Sequence, residues 1–259
     1  MNTIWIDPEI LSWNRYVSTW STAHAGREKR SYAHWNHAER LIRNGCDELS
    51  RGDVVAALKR AVSFRAELIH EIWRLKSIPL PDAPGNMLER MAHYGIIRPR
   101  QLRRLIDIRN AVEHEDSPPP DAEACENFLD VVWYFLRSTD ALITKTTDSV
   151  YLTPNDPSIE DFRGTLQGGP EHDWTLLLDL RLEAHLVSNS ARSGWVAVSC
   201  RRNPFVAMIS DDVAAELGVR PRVPSNSLDT DSGFFELYGI IVGHTEHIQR
   251  AVELLLTPF

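Results

Sequence analysis

The sequence predicts a mainly α-helical bundle followed by a small α+β domain. Up to about residue 145, apolar side chains recur at three- and four-residue steps, which is the spacing of one helix face. Segments rich in proline and glycine separate these stretches. From about Thr146, short runs of Val, Ile, Leu and aromatic residues alternate with turn signals such as Asn155-Asp156-Pro157 and Gly168-Gly169-Pro170, which is typical of strands mixed with helices.

Three segments follow from these observations. Residues 1–30 are expected to form an accessory N-terminal helix, because Asp7-Pro8-Glu9 is a helix-start signal and apolar residues follow it. Residues 31–147 are expected to form the helical bundle. Residues 148–259 are expected to form the α+β domain, for which the sequence suggests no role.

Five helices are predicted for the bundle. One runs from about Ser31 to Leu49 and is broken by Gly52, after which Asp53 caps a long helix that reaches Leu75. The tight turn between them predicts an antiparallel pair. Residues 78–85 contain Pro79, Pro81 and Pro84 and are expected to be a loop. The remaining helices are predicted from Met87 to His93, from Pro99 onward, and from Asp121 to Ile143.

The helix predicted from Asp121 to Ile143 is apolar on more than one side, which suits a central helix or one that meets a partner chain. In the α+β segment, strands are predicted at 174–182, 195–200 and 234–242. Helices are predicted there at 213–217 and 246–256.

Charge and composition limit the partners. The chain has 259 residues and a net charge of −8, which argues against broad, unspecific binding of nucleic acid. A local basic patch is nevertheless present at Arg98, Arg100, Arg103 and Arg104, and it is either a binding surface or a solvated helix face.

The N-terminus has no signal-peptide pattern and no run is long enough for a membrane helix, so we expect a cytoplasmic protein with no membrane partner.

The spacing of the cysteines and histidines gives little support for a metal site or a disulfide. Cys46, Cys125 and Cys200 are far apart and are expected to be buried apolar residues rather than a disulfide or zinc framework. His34 with His37, and His244 with His247, are each spaced to share a metal, but neither pair has an evident third ligand. We therefore expect no metal and no cofactor.

The stretch from Leu102 to His114 contains the most informative residue. Leu102 and Leu105 lie on one helix stripe, and continuing that stripe leads to Arg109 where a leucine is expected. A buried guanidinium must be paired or must face a wet cleft, because it cannot lose its charge. Two readings stay open: an ion pair with a carboxylate of a neighbouring helix, or a site for an anionic ligand. Asn110, Glu113 and His114 lie within one turn.

Arg109-Asn110-Ala111-Val112-Glu113-His114 resembles the Arg-polar-x-x-x-His motif of the HEPN superfamily. The setting is similar as well, since the motif ends a helix, prolines follow, and a long apolar helix comes next. The resemblance covers roughly residues 30–145. It implies a small all-helical bundle, and it implies a metal-independent endoribonuclease that works as a dimer, with two motifs meeting in one cleft.

The resemblance also implies roles for individual residues. His114 would transfer a proton, which imidazole does well near neutral pH. Arg109 would stabilise the phosphate, because a guanidinium fork matches two oxygens. Asn110 would orient the scissile phosphate or His114. Apart from the resemblance, Arg103 and Arg104 of the basic patch and Glu113 beside the motif are expected to contact substrate, and Glu113 is also placed to set the protonation state of His114.

The expected function is therefore RNA cleavage through attack of the ribose 2′-hydroxyl. The protein would be a toxin or phage-defence effector that forms a homodimer through the helical domain and is controlled by an antitoxin or sensor partner. The alternative is a non-catalytic HEPN-like module for dimerisation, nucleotide binding or protein interaction, in which Arg109 contributes to folding stability.

Overall fold

The computed structural model describes residues 3–45, 47–80, 82–115, 117–155, 163–201, 205–207 and 234–256. The chain divides into two compact units. The sheet unit takes residues 1–20, 77–81 and 147–255, and the helical unit takes residues 21–76, 82–146 and 256–259. Each unit is therefore assembled from segments that are distant in the sequence.

The predicted fold class is wrong. Instead of a mainly helical bundle followed by a small domain, the described residues form a large nine-stranded antiparallel sheet in addition to the helices. The strand order is β2-β3-β4-β5-β9-β7-β1-β6, and β8 pairs with β9. The strands are β1 (Thr3–Ile6), β2 (Asn14–Ser21), β3 (Thr146–Thr153), β4 (Arg163–Gln167), β5 (Leu177–Glu183), β6 (Val187–Ser188), β7 (Val196–Cys200), β8 (Phe205–Ala207) and β9 (Phe234–Val242).

The N-terminal segment forms strands β1 and β2 instead of the predicted accessory helix. The helix-start signal is used only by a short 3-10 helix, Pro8–Ser12, in which the Asp7 carboxylate accepts a hydrogen bond from the Glu9 N–H at 2.9 Å. In β1, buried Ile4 and Ile6 alternate with more exposed residues and pair with β7. This long-range pairing outweighs the local helix signal.

The helices of the helical unit fall close to the predicted ones. They are α1 (Lys29–Arg43), α2 (Glu48–Trp73), α3 (Met87–His93), α4 (Arg100–His114), α5 (Ala122–Thr139) and α6 (Ala141–Thr144). The prediction for α3 is confirmed at both ends. The predicted cap of α2 is wrong, because Asp47 rather than Asp53 accepts the hydrogen bond from the Ser50 N–H, at 2.8 Å.

In the sheet unit, α7 (Thr245–Leu256) follows β9 and confirms the predicted C-terminal helix. The helix predicted at 213–217 lies outside the described residues. The side chains of Cys125 and Cys200 are buried, as predicted, and Cys46 also lies outside the described residues. In the part of the chain that the structure describes, no helix is long and apolar enough to span a bilayer.

Buried contacts between helices hold the helical unit together. The Trp35 indole N–H donates to the Leu129 carbonyl at 2.8 Å and joins α1 to α5. Arg65, in the C-terminal half of α2, is fully buried and forms a 2.8 Å ion pair with Asp140, which lies between α5 and α6. Leu102 and Leu105 bury the first half of α4, which packs against α2 and α5. The second half of α4 carries the motif.

Candidate functional site

The motif occupies the last turns of α4. Pro99 precedes the helix, and the amide N–H groups of Glu115 and Ser117 both donate to the Ala111 carbonyl, at 3.0 and 3.2 Å. These bonds close the C-terminal end of the helix before the proline run at 118–120. Since proline cannot continue a helix, the motif is fixed at a helix end.

Arg109 is the centre of a cluster of four side chains. Its Nη1 donates to Asn110 Oδ1 at 3.1 Å and lies 3.4 Å from His114 Nε2. Its Nη2 forms an ion pair with Glu113. The Arg109 side chain is 22% exposed, so the guanidinium is neither sealed in the core nor free in solvent. A cation, an amide, an imidazole and a carboxylate thus meet within about one turn.

The contacts of Arg109 distinguish between the two readings of the sequence. Each described partner of this side chain belongs to α4 itself. The carboxylate of a neighbouring helix, which a structural ion pair requires, is not among the contacts that the described residues make with it. Its Nε is buried without a hydrogen-bond partner in the same part of the structure. Among the described residues, the guanidinium is therefore held near the surface by side chains of its own helix.

The other predicted substrate-binding residues, Arg103 and Arg104, lie on different faces of α4. Arg103 precedes Asn110 by seven residues and shares its face of α4, because seven residues make about two turns. Its Nε lies 3.6 Å from Glu89 Oε1 of α3. Arg104 is exposed, and as the next residue after Arg103 it points about 100° further round the axis of α4. The fold therefore brings Glu113 to Arg109, places Arg103 on the side of Asn110 and His114, and does not bring Arg104 to the cluster.

Arg65 also occupies an apolar position of a helix, and it was not among the predicted residues. It lies seven residues after Leu58 and seven before Ile72, both of which are buried. Arg65 thus lies on a stripe of apolar residues in the same way as Arg109, and this spacing is the sequence signal that could have identified it. Arg65 Nη1 donates to the Leu136 carbonyl at 3.1 Å and to Asp140 Oδ1 at 2.8 Å. Arg65 is therefore a buried arginine whose ion pair joins α2 to the residue between α5 and α6.

The two histidine pairs do not gain a third ligand. Among the described residues, no three His, Cys, Asp or Glu side chains come together as a metal site requires. The His34 ring stacks on Phe64 with a centroid distance of 5.1 Å. Burial, together with the nearby charges of Arg60 and Arg30, lowers the pKa of His34. The His244 and His247 rings meet edge to face at 5.8 Å.

No family model, curated protein or solved structure matches this chain. The resemblance to the HEPN superfamily thus depends on the motif and on its helical surroundings, and it stays a prediction.

Proposed function

We propose that the protein is a metal-independent endoribonuclease of HEPN type, with Arg109, Asn110 and His114 as its catalytic residues. One observation supports this most directly. The Arg109 guanidinium lies 3.1 Å from Asn110 and 3.4 Å from His114 at the partly exposed end of a helix. A cation suited to phosphate and an imidazole suited to proton transfer are thus adjacent.

The chemistry follows from these residue types. The ribose 2′-hydroxyl attacks the adjacent phosphorus, so that the bond from O2′ to phosphorus forms and the bond from phosphorus to O5′ breaks. An imidazole accepts the 2′-hydroxyl proton, and a second proton is delivered to O5′. The Arg109 guanidinium stabilises the charge that grows on the phosphoryl oxygens. Asn110 holds Arg109 and orients the phosphate.

Glu113 must yield when the substrate binds. Its carboxylate occupies Nη2 of Arg109 in the free protein, and a phosphate competes for the same donor. Arg103 and Arg104 contribute positive charge along the helix that leads to the motif. Two proton transfers are required and the motif of each chain supplies one histidine, so the proposal includes a homodimer through the helical domain that brings two motifs to one cleft.

The cellular role belongs to the same proposal. A nuclease that cuts cellular RNA acts in the cytoplasm and must be restrained, which fits a toxin or phage-defence effector. The sheet unit is the candidate region for a sensor function or for contact with an antitoxin protein.

The first test is cleavage of total RNA in the presence of EDTA. Wild type should cut, and His114→Ala should be slower by roughly 100- to 10,000-fold, the usual contribution of general acid–base catalysis. His37→Ala is the matched control, because His37 is an exposed histidine on α1 of the same unit. Products should end in a 2′,3′-cyclic phosphate and a 5′-hydroxyl. Equal cleavage by both variants, or no cleavage by wild type, contradicts the proposal.

A non-catalytic module is the second candidate, and the ion pair between Arg109 and Glu113 favours it, because it neutralises the cation in the free protein. In that case the motif closes the end of α4 and binds a nucleotide or a partner protein without cleaving anything. A wild-type protein that binds RNA or nucleotides in EDTA but leaves them intact would support this candidate.

A further inference from the structure

A pocket of about 550 Å³ opens at the beginning of α4. Its apolar surface comes from the loop before α4, from the first turn of α4 and from α5, with Ile96, Ile97, Leu102, Val131 and Phe135. Arg98, Gln101 and Ser138 add polar groups, and the Tyr134 side chain, which is 67% exposed, forms part of the wall. Pockets of this volume accommodate small organic ligands.

The loop that forms the pocket is fixed by the end of α3. The amide N–H of Gly95 donates to the Ala92 carbonyl at 3.0 Å, and that of Ile96 donates to the Met91 carbonyl at 2.9 Å. Gly95 has a φ of +72°, which a residue with a side chain rarely adopts. This helix end turns the chain so that Ile96 and Ile97 line the pocket. The pocket is therefore a built feature of the backbone.

The composition of the pocket fits a nucleobase. An exposed aromatic ring offers a stacking surface, the side-chain amide of Gln101 can pair with a base edge, and the apolar floor excludes water from the base. Arg98, Arg100, Arg103 and Arg104 lie beside or just after the pocket in a chain whose net charge is −8. This local positive charge is complementary to a phosphate backbone. A purely apolar partner would not need it.

The pocket and the motif lie along one helix. Leu102, at the pocket floor, and Arg109 are seven residues apart, which places them on the same side of α4 with a separation of roughly 10 Å along the axis. We propose that this pocket binds an unpaired base of the RNA substrate, stacked on Tyr134, a short step along the strand from the scissile phosphate. This inference rests on the proposed nuclease function. It follows that the RNA substrate is single-stranded at the bound base, and that Tyr134 helps to select the position at which the RNA is cleaved.

The first experiment uses full-length protein and a short single-stranded RNA that contains a cleavage site mapped in total RNA. Tyr134→Ala should lower kcat/KM by about tenfold through KM, the effect of removing one base–aromatic stack. Tyr134→Phe and Tyr134→Trp should stay within about twofold of wild type, because both retain a stacking face. Tyr16→Ala, which removes a similarly exposed tyrosine from the sheet unit, is the matched control and should leave cleavage unchanged.

The second experiment identifies the base that contacts Tyr134. Single abasic nucleotides are placed at successive positions around the cleavage site. At one position, about one or two nucleotides from the scissile bond, the abasic substrate should be cut poorly by wild type and equally poorly by Tyr134→Ala. At the other positions, the two proteins should keep their tenfold difference. A Tyr134→Leu variant as active as Tyr134→Phe, or no position at which the difference disappears, would overturn the inference.

The outcomes separate this inference from the function on which it rests. Cleavage that depends on His114 but not on Tyr134 would support the nuclease function and contradict the base-binding pocket. If no RNA is cut, binding of a fluorescently labelled single-stranded RNA of mixed sequence is measured by anisotropy. Weaker binding by Tyr134→Ala than by Tyr16→Ala would then support the pocket and contradict the nuclease. Equal binding by the two variants, or no binding by wild type, would overturn the pocket.

Discussion

Arg65 and Arg109 occupy equivalent places in the amino-acid pattern and different places in the molecule. Each lies where a helix stripe calls for an apolar residue. Arg65 is fully buried and donates to groups at the end of α5 and just beyond it, at Leu136 and Asp140. Arg109 is partly exposed and contacts residues of its own helix. The contrast teaches that a cation on an apolar stripe is structural when its partners come from other helices.

The comparison predicts that the largest effect on stability follows from Arg65→Met. Removing the guanidinium leaves Asp140 without its buried partner, and the free energy of unfolding in urea should fall by about 3 kcal/mol. The matched control is Arg43→Met, since the Arg43 ion pair with Glu39 lies within α1 and is exposed. That control should change stability by less than about 0.5 kcal/mol. Equal stability of Arg65→Met and Arg43→Met would contradict the structural role that distinguishes Arg65 from Arg109.

Tyr32→Phe should have a smaller effect on the same buried network. The Tyr32 hydroxyl donates to Asp140 Oδ2 at 2.7 Å, so the variant should lose about 1 kcal/mol of unfolding free energy. Burial, and then the bond to Asp140, raises the pKa of Tyr32 in the folded protein. Stability from this group is therefore complete below the unfolded pKa of about 10 and is lost as the pH rises through the folded pKa.

The measurement for Tyr32 is urea unfolding of wild type and Tyr32→Phe at several alkaline pH values. The stability difference between the two proteins should be constant up to about pH 9 and should shrink above about pH 10. Tyr16→Phe, at an exposed tyrosine of β2, should match wild type throughout. A difference that grows at alkaline pH would show that Tyr32 is not held in its neutral form.

Glu113→Gln should have the smallest effect on stability and an effect of opposite sign on binding. The ion pair with Arg109 spans four residues of one helix and is partly exposed, so its loss should cost less than about 0.5 kcal/mol of unfolding free energy. The released guanidinium should bind single-stranded RNA roughly twofold more tightly, which corresponds to the energy of one such pair. Filter binding with Glu39→Gln as the matched control measures this. Weaker RNA binding would mean that Glu113 contacts the substrate rather than competing with it.

The helices were predictable because their signals are local. Apolar residues at three- and four-residue steps and an Asn or Asp cap are visible within one segment, as in α3, where the Asn86 side chain accepts from the Leu88 N–H at 2.9 Å. Even so, the start of α2 was misplaced, because both Asp47 and Asp53 are good caps and only the backbone shows which one is used.

Strands were predicted at 174–182, 195–200 and 234–242, and they correspond to β5, β7 and β9. The rest of the sheet could not be predicted in the same way, because its strands depend on distant partners. β4 has the sequence RGTLQ and little intrinsic strand preference, yet it pairs with both β3 and β5. At Gly164, an added Cβ would lie 2.7 Å from the Asp179 carbonyl oxygen, so the close approach of β5 requires glycine there. No local pattern contains that information.

The candidate site was predictable in part. The motif fixed which helix end to consider, and Arg109, Asn110, Glu113 and His114 do meet there. The structure added two observations. Glu113 contacts Arg109, and the pocket at Tyr134 is lined by Leu102, which lies on the same side of α4 as Arg109. The four-residue spacing of Arg109 and Glu113 allows this ion pair, but the sequence does not show which side-chain rotamers form it. The pocket could not be predicted, because it depends on how α5 packs against α4.

The central claim is that Arg109 serves an anionic ligand rather than the stability of the fold. The most direct measurement is Arg109→Ala, with its free energy of unfolding in urea and its RNA cleavage in EDTA determined on the same sample. Our account predicts a stability within about 0.5 kcal/mol of wild type and cleavage slower by at least about 100-fold. A loss of about 3 kcal/mol, comparable to that of Arg65→Met, or cleavage equal to that of wild type, would contradict it.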